Sequence, residues 1–272
     1  MPLIHVNGVD LHYEDSGVPA GVPNPQTIIF SHGLLWSGRM YDPQVAHFKD
    51  RYRCITFDFR GQGRSPVTQS GYDMDTLTED AIALIQSLGV APCHFAGLSM
   101  GGFIGLRLAI RHPELLQSLI LIESAADGEP KQNIPKYKRM ALVARFLGLR
   151  LVASPVMKIM FGPTFLKDPA RAPVRAEMKR QLLANHKLGA TRATMGIITR
   201  APVEDQLDRI TLPTLVISGE SDSAIVPERS QRTAVRIPGA QFVAIPRAGH
   251  TSTIEEPAAI NQAIETFLKA LA

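Results

Sequence analysis

Apolar residues in this chain follow two rhythms. Short, nearly unbroken runs recur at Thr27-Ile28-Ile29-Phe30, Arg53-Cys54-Ile55-Thr56-Phe57, Cys93-His94-Phe95-Ala96, Leu119-Ile120-Leu121-Ile122, Thr214-Leu215-Val216-Ile217 and Gln241–Ile245. Runs of this length read as strands buried on both faces, the habit of a parallel sheet. Between them lie helical patterns, clearest at Leu77, Ala81, Leu84, Ile85 and Leu88, where the period is near 3.6. Thr76 or Asp75 is the expected cap of that helix and Gly89 its stop. Other helices are expected at about 41–48, 100–111, after Pro227 and at about 257–271. Near the start, 3–6 and 10–14 flank Asn7-Gly8, a strong hairpin signal. Alternation of this kind predicts an α/β fold: a mostly parallel central sheet with helices on both faces.

The rhythm breaks from 128 to 200. This stretch is helix-rich, contains no convincing strand, and is punctuated by Pro130, Pro135, Pro155, Pro163, Pro169 and Pro173. The expected organisation is a core formed by 1–127 and 201–272 with an inserted helical cap, or lid, at 128–200. Within it, 140–161 is amphipathic, and a lid laying its apolar side on a cleft is favoured over a membrane-surface helix.

Chemistry enters where a predicted strand ends in Gly97-Leu98-Ser99-Met100-Gly101-Gly102. Gly-x-Ser-x-Gly between a strand and a helix is the nucleophile-elbow pattern, in which glycines let the two elements approach and hold the serine in a sharp turn. Alone it is weak, since about one random sequence in ten of this glycine and serine content would contain it. A nucleophilic serine also needs a base, a group to orient that base, and donors for a developing oxyanion. His250 is the candidate base, in a Gly-flanked loop just after the 241–245 strand. The other histidines fall in the hairpin, in or beside helices, or on the elbow's own strand, except His32, which reads as a loop anchor. Asp222, after the 214–217 strand, is preferred as the orienting acid over Glu220 in the same loop and over Asp127 after the 119–122 strand. The chain order Ser99, Asp222, His250 is the one an elbow serine requires. Backbone N–H groups of Leu34 and Met100 are the candidate oxyanion donors.

Composition narrows the class. The chain has 272 residues, enough for one large core, and 45% apolar against 20% charged residues, an ordinary globular balance. No uncharged apolar stretch reaches membrane-spanning length. The N-terminal residues lack a basic start and an apolar signal core, so a cytoplasmic location is expected. Cys54 and Cys93 are the only cysteines; neither has a metal-ligand spacing, and no metal or cofactor is expected. The net charge of +4 hides an asymmetry: 128–200 holds 15 Lys+Arg against Glu129, Asp168 and Glu177, a net of +12, so the rest carries −8. Such a basic insertion could draw anionic substrates towards a cleft. The basic residues form no compact tract with interleaved aromatics, so nucleic acid is not an expected partner.

These residues together resemble the α/β-hydrolase fold superfamily over 1–127 and 201–272. Four ordered features carry the likeness: Ser31-His32-Gly33; Asp58-x-Arg60-Gly61-x-Gly63-x-Ser65; Gly97-Leu98-Ser99-Met100-Gly101-Gly102; and Gly219-x-x-Asp222 with Gly249-His250. The chain is most similar to small bacterial carboxylesterases, enol-lactonases, lactonases and perhydrolase-like members. Serine at the elbow sets it apart from members with aspartate there. The resemblance implies a carboxylic ester hydrolase working through an acyl-enzyme, with a small ester or lactone as substrate. Alternatives are a lactonase or carbon–carbon bond hydrolase using the same residues, and, more distantly, a non-catalytic receptor. The carbon–carbon hydrolases carry a longer Gly-rich stretch than Leu34-Leu35-Trp36-Ser37-Gly38, which weakens that option. Trp36 walls the pocket or packs in the core, and a homodimer is left open. If the fold holds, Cys54 and Cys93 lie two strand spacings apart, roughly 9–10 Å, beyond disulfide reach.

Overall fold

The structure, a computed structural model, describes residues 2–271. It opens with the hairpin β1 (Leu3–Val6) and β2 (Val9–Asp15). Asn7 and Gly8 make its turn with φ of 46° and 72°, the paired positive angles of a two-residue hairpin loop. Strand and helix then alternate through β3 (Thr27–Ser31), α1 (Asp42–Phe48), β4 (Arg53–Phe57), α2 (Met74–Ser87), β5 (Cys93–Leu98), α3 (Met100–Arg111) and β6 (Leu116–Ile122). Every α-helix or strand between β6 and the next strand is helical: α4 (Ile134–Leu147), α5 (Arg150–Met160), α6 (Pro163–Lys167), α7 (Ala172–Ala184) and α8 (Lys187–Ile198). The alternation resumes with β7 (Thr214–Gly219), α9 (Pro227–Arg236), β8 (Gln241–Ile245), α10 (Ser252–Glu255) and α11 (Pro257–Lys269).

The eight strands run in the order β1-β2-β4-β3-β5-β6-β7-β8. β1, β2 and β4 pair antiparallel, and from β4 to β8 every pairing is parallel. Successive strand residues point to opposite faces, which divides the core in two. Ile29, Ile55, Phe95, Leu119, Leu121 and Val216 pack with α2 and α3. Ile28, Phe30, Ala96, Leu98, Ile120 and Ile217 face α1, α11 and part of the inserted helices. Strands buried on both sides explain why the runs carry so few polar residues.

One local expectation needed correction. The cap of α2 is neither Thr76 nor Asp75 but Asp73, whose carboxylate accepts from the Thr76 N–H and hydroxyl, each at 2.8 Å. Thr76 sits three residues inside, where it supplies a donor to the cap. The amphipathic stretch 140–161 is two helices, because Gly148 adopts φ 95° and turns the chain between α4 and α5. The cysteines lie on β4 and β5 with β3 between them, both unpaired and buried, and burial pushes both thiols up to about 12.

His94 on β5 is buried as a neutral ring, its Nδ1 2.8 Å from Ser118 Oγ and its Nε2 3.1 Å from Gln26 Oε1. Burial lowers its pKa from 6.5 to about 4. As pH falls, the unfolded chain takes up this proton first, so the stability contribution is full above 6.5 and is lost between 6.5 and 4. A loss of roughly 3 kcal/mol follows from that shift. Urea titrations at pH 7 and pH 4 check it: His94→Gln flattens this part of the pH dependence, and an unchanged slope refutes the assignment.

Candidate active site

The chain turns most sharply where β5 gives way to α3. Ser99 occupies that turn at φ 52°, a left-handed conformation that non-glycine residues adopt only at a cost. Three bonds to its backbone hold it there: Ser99 N–H donates to Ile122 O (2.8 Å), Phe103 N–H to Ser99 O (2.9 Å), and Ser124 Oγ to Ser99 O (2.7 Å). The strand and helix close on each other through Gly97, where a Cβ would stand 2.3 Å from Gly101 O. Met100 begins α3, so its N–H has no acceptor inside the helix.

Leu34 lies opposite, in the loop after β3. Around it, Gly33 N–H reaches Met40 Sδ, Leu35 N–H donates to Gln62 Oε1 at 2.7 Å, and Trp36 N–H donates to Gly33 O. Leu34 N–H has no acceptor among the described residues, and neither do the His32 and Ser37 amides. His32 anchors the loop: its Nδ1 lies 2.7 Å from Gly33 O and its Nε2 accepts from Phe59 N–H at 3.0 Å, with burial lowering its pKa. The Asp58–Ser65 motif is likewise architectural, since Asp58 accepts from the Gly38 and Arg64 amides and Arg60 forks onto buried Asp80.

His250 and Asp222 meet under the loops that follow β8 and β7. Asp222 Oδ2 lies 2.7 Å from His250 Nδ1, while Oδ1 accepts from Ala224 N–H (2.8 Å) and Ile225 N–H (3.0 Å). Both side chains are buried. The two rival acids stand elsewhere: Asp127 forms a forked pair with Arg229, Nη2 to Oδ1 at 2.7 Å, and Glu220 is exposed.

Ser99 and His250 line one cavity of about 90 Å³ with Leu34, Phe103, Ile159 and Met160. A second cavity of about 90 Å³, almost wholly apolar, runs beneath α4 and α5 past Ala144, Val152 and Val156. The two share Leu34, Tyr137, Ile159, Met160 and Thr194, so they form adjoining chambers. The inserted helices thus turn one apolar face to the cavities, while Leu142, Phe146, Leu147 and Leu151 are exposed on the other. Trp36 lines neither chamber; it is buried edge-on to Phe161 at 5.9 Å between ring centroids.

Two buried carboxyls here were not anticipated. Glu255 accepts from Gly249 N–H (3.0 Å) and Thr251 N–H (3.2 Å), on either side of His250, and from Gly162 N–H (2.9 Å) between α5 and α6. Burial raises it to about 7, against those three donors. Glu123, the residue after β6, is fully buried beside Asp222, and burial and the Asp222 charge raise its pKa well above the carboxylate range. One sequence signal existed for it: a charge placed directly at the end of an apolar strand.

A model of the α/β hydrolase fold matches residues 26–257. The chain belongs to the α/β-hydrolase fold family. This hydrolase is 32% identical to a 3-oxoadipate enol-lactonase 2 of Acinetobacter baylyi, over 92% of the chain and 91% of the relative. Among solved structures it is similar to the enol-lactonase of Burkholderia xenovorans LB400, with a TM-score of 0.90 and 31% identity, covering 98% of this chain and 100% of that one. It is also similar to a thermophilic esterase from Thermogutta terrifontis, with a TM-score of 0.90 and 26% identity, covering 100% and 99%. Among the described residues no cluster of three or more His, Cys, Asp or Glu could hold a metal ion, and no helix is long and apolar enough to cross a membrane.

Proposed function

We propose that this hydrolase cleaves neutral carboxylic esters, lactones included, through an acyl-enzyme on Ser99. The observation that carries the reading is that Ser99 and His250 face one cavity while Asp222 binds the far nitrogen of the imidazole. In this mechanism His250 Nε2 takes the Ser99 proton as Oγ attacks the carbonyl, and Asp222 fixes the tautomer that leaves Nε2 free. The Leu34 and Met100 amides stabilise the oxyanion. His250 then protonates the departing alkoxide, and a water activated by the same nitrogen hydrolyses the acyl-enzyme. Such a mechanism calls on side chains, amides and water alone.

Pocket chemistry supports neutral, apolar substrates. No Lys or Arg is among the described residues lining the Ser99 cavity, and the carboxylate that does line it is Glu129, tied to Arg200 at 3.2 Å and to Asn133 at 3.0 Å. An acid such as the 3-oxoadipate derivative in the relative's name would meet a carboxylate whose cation, Arg200, is already paired with it. A panel of p-nitrophenyl esters, neutral acyl lactones and carboxylate-bearing lactones tests this. The neutral esters are expected to give the highest kcat/KM, and a clear preference for the anionic lactone overturns the proposed class.

The apolar second chamber is the proposed seat of the longer acyl chain. Ala144→Phe fills it without entering the Ser99 cavity, because Ala144 lines only the former. The expected result is a drop of roughly ten- to a hundred-fold in kcat/KM for p-nitrophenyl octanoate, with the acetate ester nearly unchanged. Equal effects on both esters refute the placement.

A further inference from the structure

Glu123 has no part in the mechanism above, yet the fold gives it an unusual setting. It follows β6 at φ 47°, a left-handed conformation that a glutamate reaches only at a cost, and its side chain is fully buried. Its own N–H donates to Ile217 O at 2.9 Å. Both of its carboxyl oxygens lie 2.8 Å from Gly219 N–H, at the start of the turn that delivers Asp222. Asp222 N–H in turn donates to Gly219 O at 3.1 Å, so Glu123 underpins that turn at its first residue.

Counting acceptor sites points the same way. Asp222 has about four lone-pair positions. Ala224 and Ile225 amides occupy Oδ1, and His250 occupies one position of Oδ2. Glu123 and Asp222 are both buried at one turn, Glu123 on the Gly219 amide and Asp222 N–H on the Gly219 carbonyl, and two carboxyls crowded into one buried turn favour a proton on one of them. Asp222 is the charge that acts most on Glu123, with the Gly219 amide and the Ser252 hydroxyl beside it. Asp222 in turn is bonded to His250 and acts on Glu255, on the loop and helix that follow β8.

We propose that Glu123 is a positioning residue: a neutral carboxylic acid that donates a hydrogen bond to the Asp222 carboxylate and holds it against His250. The inference rests on the acyl-transfer reading above. On this reading the cost of a left-handed glutamate at this turn is offset by its proton, which completes the coordination of Asp222. At alkaline pH the proton is lost and two anions face one another, which pushes Asp222 off the imidazole.

The test compares wild type, Glu123→Gln, Glu123→Ala and Ser99→Ala on a p-nitrophenyl ester from pH 5 to 10, with the downfield imidazole N–H proton followed by NMR. Gln mimics the neutral acid, so kcat is expected within about three-fold of wild type at pH 7.5. The alkaline fall in kcat should move up by a pH unit or more in this variant. Ala should lower kcat about ten-fold at unchanged KM and broaden the imidazole proton. Glu255 titrates in every variant and cancels in the comparison. If Gln is as impaired as Ala, or if its pH profile superimposes on wild type, the proposal is overturned. Should Ala fail to fold, the Gln profile alone decides. Ser99→Ala keeps the two ideas separate: activity surviving there sinks the acyl-enzyme, whereas a dead Ser99→Ala with a wild-type Gln profile sinks only the Glu123 role.

Discussion

Ser99→Ala is expected to lower kcat/KM on an activated ester by about 10⁴- to 10⁶-fold while leaving the protein folded. Folding survives because the elbow is held by backbone atoms that alanine keeps. The amide to Ile122, the carbonyl to Phe103 N–H and the same carbonyl to Ser124 Oγ are all independent of the serine side chain. Alanine inherits the φ of 52° and its strain without adding to it. The melting temperature should therefore shift by only a degree or two, and residual turnover should reflect the Leu34 and Met100 amides alone. Esterase activity retained at the wild-type level would place the nucleophile elsewhere. No ester turnover in either protein, with the biological effect intact in Ser99→Ala, would favour the receptor reading.

The parts of this molecule that were legible in advance are those whose physics is local. A strand buried on both faces has to be apolar throughout, so the parallel strands stood out, and Asn7-Gly8 announced the hairpin turn. The elbow was visible because close approach of β5 and α3 requires glycine at fixed offsets. Strand order was not local. That β3 lies between β4 and β5 came only with the family resemblance, and with it the separation of the two cysteines.

Contacts made by long-range packing were hidden in the same way. Asp127 and Asp222 both follow apolar strands, and what distinguishes them is Arg229, 102 residues away from Asp127, which claims its carboxylate. Glu255 could not be tied to the His250 loop because one of its three donors, Gly162, comes from the inserted helices. For Glu123 the sequence shows a charge directly after an apolar strand but not the φ of 47° at which it sits. The inserted helices illustrate a further limit: amphipathicity marked an apolar face, but a single residue, Gly148, decided that there would be two helices and a large exposed apolar turn.

Gly101→Ala is the substitution in which fold and chemistry should fail together. Residue 101 is helical, and on propensity alone alanine would favour the helix by about 1 kcal/mol. Packing decides otherwise. A Cβ at 101 would lie 2.1 Å from Ser31 O and 2.6 Å from Ser31 C, backbone atoms at the end of β3 that have no rotamer to escape into. α3 must therefore withdraw from the sheet by about an ångström, and overpacking of this kind costs roughly 1–3 kcal/mol or more. The same withdrawal parts the Met100 amide, at the start of α3, from the Leu34 amide, three residues beyond Ser31. Losing alignment of one oxyanion donor costs about 10²- to 10³-fold in kcat. Gly105→Ala on the same helix is the control, because its Cβ would meet side-chain atoms, Leu119 Cδ1 at 2.9 Å and Phe95 Cδ1 at 3.1 Å, which can shift. Urea unfolding and kcat/KM measured on both variants should show Gly101→Ala losing stability and activity together and Gly105→Ala losing some stability with activity within about three-fold. If the two variants lose activity equally, the close seating of α3 on β3 is not what aligns the two amides.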